Sequence, residues 1–512
     1  MWLLILLYAL LAIFLIILGL ITYARWNFGT LEKTGIPVVK PDHFLLGSAM
    51  LTYEKPGGLA DVELMKKYGP VFGLYEGREP QVFICDADLI RSITVKDADY
   101  FDSKRPLDFG DPIMNEMLDF QPKEKWRIMR NMFTPVVNSS VRLRNSNPAM
   151  NAAIADFISD IKGKIKESGN DKAEKFSLNE NIYAMLTDLI ARSQFSVTIG
   201  KSDMNNRMVK IIKDLMTPPA VEEPALASWT YAFPFIKKFL PNTMVNPEPV
   251  KEFAAVIKLL METRRKQGRQ PDELKNMVDF CIEWFDNLDD PEWKKNDITE
   301  NTIWFLGLIS FMAGQDQISL ILSVMMLYVS KDPELEERIH EEIDQVYSKT
   351  NGKIDHDVLS EFPLLTACIH EAARLYPFFF RTERVCTKDW QDKERGIQIK
   401  KGTVVQISIW GTSRNPEYFE DPEEFQPERF LPKNKDKLHP YAYTSFGHGP
   451  RKCLGIKYAM EMMLLLTVQI MKEFKFVRRN DTQLNFLPCG PFFGAHEPIY
   501  FDVVARNKKN EE

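Results

Sequence analysis

The chain has 512 residues, is 45% hydrophobic and carries 65 Lys and Arg against 71 Asp and Glu, a net charge of −6. That length allows a large core, and the mild acidity gives no basis for nucleic-acid binding. Six cysteines, Cys85, Cys281, Cys368, Cys386, Cys453 and Cys489, stand singly. They offer neither a disulfide framework nor zinc-ligand spacing, and read as reduced thiols of a cytosol-facing protein.

Residues 1–24 carry no charged side chain, and the apolar run from 2 to 22 is long enough for a bilayer, which needs about 20 apolar residues. Arg25, Lys33 and Lys40 follow this run rather than precede it, the pattern of a retained transmembrane anchor with the body cytosolic. A cleaved secretory signal is the competing reading. Residues 25–44 form a basic hinge in which Pro37 and Pro41 disfavour helix. From 45 to 505 no repeat, low-complexity block or Gly/Ser linker intervenes, so one catalytic domain is expected, followed by a polar tail at 506–512.

Within that body, 71–75 and 81–85 are strand-like and joined by a turn-rich segment, which predicts a hairpin. The stretch 110–375 is largely helical in pattern. It is interrupted at 229–240, an aromatic run with Lys237 and Lys238 that fits either a membrane-surface contact or a partly buried loop. Residues 297–329 predict one long helix, opened by Asp297 and Glu300 as a capping box. A second membrane span competes, but Gln315, Asp316 and Gln317 interrupt the apolar run where hydrocarbon would penalise them. A polar break in an apolar helix makes Ala313, Gly314, Asp316 and Gln317 site candidates.

Glu371 and Arg374, three apart, can pair on one helical face, and Trp126 and Arg130, four apart, share another. Alone, both patterns also suit solvated surfaces. The segment Phe446-Gly447-His448-Gly449-Pro450-Arg451-Lys452-Cys453-Leu454-Gly455 is more informative. Its glycines permit positive φ and close approach to a flat macrocycle. Cys453 falls at the start of a helical pattern over 454–474, where free N–H groups, the helix dipole, Arg451 and Lys452 all favour a thiolate of lowered pKa. Such a thiolate is an axial ligand for haem iron that donates electron density and favours O–O cleavage. A buried structural cysteine is the bland alternative. His448 is not expected to ligate, because one loop cannot present both residues to the same face of the iron.

Phe446, Gly449, Arg451, Cys453 and Gly455, at their spacing, resemble the haem-binding loop of the cytochrome P-450 superfamily. The order of the other motifs is similar too. Ala313-Gly314 with Asp316 resembles the oxygen-binding groove of that family's central helix. Glu371, Arg374 and Arg429 resemble its structural triad, and Trp126, Arg130 and Arg384 its propionate clamps. The segments at 66–73, 233–235 and 332–344 look most similar to animal microsomal members of the drug-oxidising and thromboxane-synthase branches.

The resemblance spans about 30–505 and implies a fold that is mainly α with a small β lobe, a triangular helical domain behind one N-terminal transmembrane helix. It implies haem b bound by Trp126, Arg130, Ala313, Gly314, Arg384, Phe446, Gly447, Arg451, Cys453 and Gly455, with Cys453 on the iron and Asp316 and Gln317 in catalytic positions. It further implies monooxygenation of a lipophilic small molecule at the endoplasmic reticulum membrane. The electrons would come from NADPH through NADPH-cytochrome P-450 reductase, with cytochrome b5 as a further partner. Lys123, Lys125, Arg127, Lys452 and Lys457 fit either a docking face for that partner or a solvated charge run. Apolar stretches at 108–120, 217–240, 309–317, 377–380 and 488–493 are candidate cavity walls.

One position departs from the family pattern. Gln317 stands where a threonine is usual, and an amide cannot relay a proton through a rotating hydroxyl. Rearrangement of lipid hydroperoxides or endoperoxides, which needs no external electrons, is therefore an alternative activity. A haem-binding sensor with little turnover is a third.

Overall fold

In a computed structural model, residues 1–48, 51, 57–216, 229–230, 232–239, 245–269, 274–485 and 497–506 are described. Of the expected cavity walls, 217–228 and 488–493 lie outside the described residues, as does the tail beyond 506.

Strands form where apolar alternation is bounded by turns. Val71–Glu76 and Glu79–Ile84 pair antiparallel across Gly77-Arg78, with Gly77 at φ 58°, the conformation a tight two-residue hairpin requires. The second strand runs parallel to Val404–Ser408, which pairs antiparallel with Arg381–Val385 to complete a four-stranded sheet. Arg384 lies on that last strand opposite Val405. A three-stranded sheet orders Lys172–Ser177, Tyr500–Ala505 and Phe474–Arg478. The rest is mainly helical, as expected, and one apolar cluster runs through helices Leu178–Phe195, Pro363–Leu375 and Ile456–Glu473.

The helix Trp2–Ala24 has mean hydropathy 3.2 and none of its most apolar window is buried, as suits a membrane span. Its last turn docks on the body: Tyr23 stacks 6.4 Å from Phe233, and Ala24 is buried with Leu46 and Ala232. The hinge is docked as well. Val39 N–H donates to the Gly73 carbonyl at 2.8 Å, and Gly73 N–H to the Pro37 carbonyl at 2.8 Å, so this extended segment borders the first sheet.

The segment 297–329 is two helices, Glu300–Met312 and Gln315–Val329, separated at Ala313-Gly314. It is internal, with 72% of its most apolar window buried. The helix also starts differently from expectation. Asp297 sits at φ 56° before the helix, Thr299 is the capping residue, and the Thr302 hydroxyl accepts the Thr299 N–H at 3.0 Å.

Beneath the cysteine loop, Glu371 and Arg374 are wholly buried and bidentate at 2.7 and 2.8 Å. The remaining guanidinium hydrogens of Arg374 go to the carbonyls of Ser413 at 2.7 Å, Pro422 at 2.8 Å and Glu424 at 3.1 Å. Glu371 also accepts the Gln426 N–H at 2.9 Å and lies 3.5 Å from the Arg429 guanidinium. Arg429 in turn donates to the carbonyls of Glu420 and Asp421. The same helix, Pro363–Leu375, reaches the loop: Ser445 donates to the Ala373 carbonyl at 2.8 Å, and His370 shares a 3.0 Å hydrogen bond with Tyr443.

Removing one partner from such a pair leaves a buried charge uncompensated. Glu371→Gln should therefore cost about 3–5 kcal/mol of stability, measured as a fall in the denaturant midpoint of the full chain. Gly449→Ala should cost about 1–3 kcal/mol in the same measurement, since Gly449 has φ 71° and an added Cβ would collide with the Thr94 carbonyl.

Candidate active site

The loop carrying Cys453 is closed by its own backbone. Gly447 N–H donates to the Thr444 carbonyl at 2.8 Å, Lys452 N–H to Gly449 at 3.1 Å, and Cys453 N–H to Phe446 at 2.7 Å. Gly447 and Gly449 have φ of 68° and 71°. Gly449 rests on Thr94, which belongs to the single π-helical turn Ser92–Lys96. Gly455 plays another part. It caps the helix Ile456–Glu473 at φ −90°, and a Cβ there would meet nothing within 4 Å.

Cys453 is exposed, yet protein surrounds it closely, which describes a side chain on the wall of an internal cleft. Burial is the strongest influence and pushes its thiol up, opposed first by the Gly455 N–H, then by Arg130 and by the Ile456 N–H. This corrects the expectation of a lowered value. Sequence revealed the helix end and the nearby cations, but not the desolvation. Coordination to a metal deprotonates a thiol outright, so an iron bound at Cys453 would itself supply the stabilisation of a thiolate.

The expected clamp residues meet in one cleft lined by Trp126, Arg130, Arg384, Pro450 and Arg451. Helix Lys123–Val137 supplies the first two, the sheet supplies Arg384, and the loop supplies the rest. Trp126 is the cleft's floor, with the Arg451 guanidinium 4.5 Å and the Arg130 guanidinium 5.6 Å from its ring. Arg130 also donates to the Lys452 carbonyl at 3.0 Å. Arg451 donates to the carbonyls of Asp102, Asp119 and Gln121 at 3.0, 3.1 and 3.3 Å. Arg384 is 4% exposed and, among the described residues, donates to Thr382 Oγ1 and the Glu383 carbonyl, while Asp389 pairs with Lys400.

Sequence reasoning missed Lys104, whose side chain is 6% exposed and pairs with Asp119 at 2.6 Å. It stands four residues after the helical turn Ala98–Tyr100, with no periodic pattern to mark it. Burial lowers the pKa of Lys104, Arg130 and Arg451, and brings Arg384 down to about 10. Burial works against Asp119, but Lys104, then Arg384 and Arg451, hold its carboxyl below the usual range. Lys104, Arg130, Arg384 and Arg451 thus gather around Asp119, with Asp102 also acting on Arg451 and Glu383 on Arg384, and such a group of cations in desolvated surroundings favours an added anion.

On the central helix, Ala313 is exposed although the helix around it is buried. Gly314 lies where a Cβ would come 3.8 Å from Met462 of the cysteine-side helix, so the two helices pack at this break. Burial raises the Asp316 carboxyl to about 6, with Lys213 opposing. Ser310 Oγ and Gln315 Oε1 of this segment, and Tyr183 Oη of helix Leu178–Phe195, are buried and have no hydrogen-bond partner among the described residues. Glu371, Arg374 and Arg429 stand apart from the cleft, beneath the loop. His448 packs its ring 5.0 Å from Tyr441. Lys125 is not on a docking face: it is buried and paired with Glu116 at 2.8 Å.

These residues fit haem. Among the described residues no group of three or more His, Cys, Asp or Glu is arranged to hold a metal ion, so an iron bound here must bring most of its ligands with it. Cys453 supplies one soft donor, the cations Lys104, Arg130, Arg384 and Arg451 suit two carboxylates, and the bare edge of Gly455 leaves space for a flat ring.

Comparison with known proteins agrees with this geometry. The family model for Cytochrome P450 matches residues 37–500. The chain is 29% identical over 501 residues to Cytochrome P450 3A56 of Fundulus heteroclitus, covering 95% of this chain and 96% of that protein. It is 29% identical over 507 residues to Cytochrome P450 3A9 of Rattus norvegicus, covering 98% and 96%. It is 30% identical over 506 residues to Cytochrome P450 3A7 of Homo sapiens, again covering 98% and 96%. A cysteine loop, a cationic cleft and a broken central helix, in a chain matched over nearly its whole length, establish that it belongs to the cytochrome P450 family and is a monooxygenase of the oxidoreductase class.

Proposed function

We propose that this enzyme is a membrane-anchored monooxygenase that inserts one oxygen atom of dioxygen into a lipophilic small molecule, with electrons passed from NADPH through a reductase. The observation that carries this reading is the accessible thiol of Cys453 beside a desolvated cationic cleft. Cys453 would hold the iron. Trp126, Arg130, Arg384 and Arg451, with Lys104, would hold the carboxylates, and Phe446, Gly447 and Gly455 would border one face of the ring, Ala313 and Gly314 the other. Bound haem b supplies the oxygen-activating chemistry.

In this reading Asp316 holds the proton, because its raised pKa keeps a protonated fraction near neutral pH. Gln317 orients a water rather than relaying a proton. Glu371, Arg374 and Arg429 are structural and keep the loop in register. Residues 1–24 anchor the chain in the endoplasmic reticulum membrane, 25–44 set its orientation, and 45–505 form the cytosolic catalytic domain before the tail at 506–512. Exposed Arg127, Lys452 and Lys457 would meet an acidic reductase or cytochrome b5. A second reading, isomerisation of a lipid hydroperoxide or endoperoxide, is favoured by the missing hydroxyl at Gln317.

Reduced wild-type protein exposed to carbon monoxide should give the Soret band of a thiolate-ligated haem, and Cys453→Ser should lose it. Labelled dioxygen, NADPH and reductase should yield labelled product from a lipophilic substrate. Turnover of a lipid hydroperoxide without reductase would support the second reading instead.

The native state holds the Asp316 proton more tightly than an unfolded chain, whose ordinary value is 3.8. Stability should therefore fall as pH rises between about 4 and 6, and Asp316→Asn should remove that slope in pH-dependent unfolding. Wild-type turnover relative to Asp316→Asn should also decline as pH rises through about 6, as the proton is lost. Gln317→Thr should raise product formed per NADPH consumed, by up to about tenfold if proton delivery limits coupling.

A further inference from the structure

The segment between Asp108 and Gln121 borders the cationic cleft at one end and enters the main core at the other. It folds on itself. The Asn115 side chain accepts the Phe109 N–H at 2.7 Å and donates to Asp108 at 3.1 Å. Asp111 Oδ1 accepts the N–H groups of Ile113 and Met114 at 2.8 and 3.0 Å, and Gln121 donates to the Asn115 carbonyl at 2.7 Å. A unit closed in this way moves as one piece. Phe109, Met114 and Leu118 join the main apolar cluster.

Two acidic side chains of this unit are buried, Asp111, which caps the unit's own backbone, and Glu116, which reaches outside it. Glu116 is 8% exposed and receives the Lys125 ammonium at 2.8 Å, Lys125 itself being 7% exposed. The second hydrogen bond to the Glu116 carboxylate comes from the Thr302 hydroxyl at 2.9 Å. Thr302 is wholly buried, and its oxygen accepts the Thr299 N–H. At the rim, Lys125 reaches the exposed Asp297 at 3.4 Å. A single carboxylate thus joins the loop unit, the helix bearing Trp126 and Arg130, and the first turn of the helix leading to Ala313-Gly314.

A buried ion pair is a poor source of stability compared with apolar packing, but it fixes register, because neither charge tolerates a position without the other. We propose that Glu116, Lys125 and Thr302 are positioning residues that hold the 108–121 unit as a rigid wall of the substrate cavity. This deepens the monooxygenase reading and rests on it for the cavity's identity. None of the three touches the reacting atoms in this scheme. They set how much of a bulky ligand the wall grips, and they leave a small ligand on the iron unaffected.

The test uses the full-length holoprotein, with two azole probes that both ligate haem iron: imidazole, too small to need the wall, and clotrimazole, whose three phenyl rings must pack against it. Lys125→Met should keep the carbon monoxide band and the imidazole affinity within about twofold, while clotrimazole affinity falls about fivefold. Amide exchange of residues 110–121 should speed up about tenfold in the same variant. Thr302→Val, which keeps both charges, should shift both readouts the same way by about twofold to threefold, and it decides the matter if Lys125→Met does not fold. The exchanged pair Glu116→Lys with Lys125→Glu should restore both. Unchanged exchange and clotrimazole affinity in Lys125→Met and Thr302→Val overturn the proposal, as does equal weakening of both azoles. A wild-type protein without the thiolate band would instead sink the enzymatic reading, leaving the exchange result to judge the junction alone.

Discussion

In the proposed reading one sulfur must be held still, because no group of three or more His, Cys, Asp or Glu among the described residues could hold a metal ion. That constraint explains much of the architecture around Cys453. The loop closes on itself through Cys453 N–H to Phe446, so the sulfur's height is set by backbone and not by a rotamer alone. Gly449 presses against the Thr94 carbonyl, which fixes the loop's depth. Below, Ser445 and Tyr443 are bonded to the helix of Glu371 and Arg374. Those two charges are bound by so many carbonyls and N–H groups that neither can shift without leaving a buried group unpaired. Rigidity at the sulfur is thus inherited from a charge cluster that never approaches it.

The cationic cleft is the opposite kind of structure, locally unfavourable in the protein alone. Lys104, Arg130, Arg384 and Arg451 all have pKa values depressed by burial, and Asp119 is the carboxylate that acts on all four. Desolvated like charges repel, and their cost is offset when a dianion arrives. Trp126 helps the cations to be crowded, because its ring face attracts the guanidinium groups of Arg451 and Arg130. A carboxylate in Trp126's place would compete with the ligand for the same cations.

Features confined to a few consecutive residues were legible in the sequence. The hairpin, the apolar N-terminal helix and the positive φ of Gly447 and Gly449 appear in the structure where local pattern placed them, and the central helix breaks at Ala313-Gly314, just before the polar run Gln315–Gln317. The Glu371 and Arg374 spacing was visible as well, and their burial followed from the family resemblance where local pattern alone also suited a solvated surface. What sequence hid were properties set by distant neighbours. Lys125 looked like a surface cation because its counter-ion, Glu116, lies in a loop without periodicity. Lys104 was invisible for the same reason. The direction of the Cys453 shift was misjudged because desolvation depends on the whole fold, whereas dipole and neighbouring charge can be read nearby. The helix start moved from Asp297 to Thr299 because Asp297 takes a positive φ and turns its carboxylate toward Lys125.

The two buried ion pairs flanking the site differ in a way that matches their positions. Arg374 spreads its planar guanidinium over Glu371 and three carbonyls, so it has one orientation and no freedom to exchange partners. Lys125 is a point charge on a flexible stem, divided between buried Glu116 at 2.8 Å and exposed Asp297 at 3.4 Å. A lysine there can follow its carboxylate through small displacements, and Asp297 can hold it near the rim while it does. The cysteine side is therefore built around a fork that permits one geometry. The side carrying the 108–121 unit is built around a point-charge tether, which holds the register through charge and burial where the fork holds it through shape.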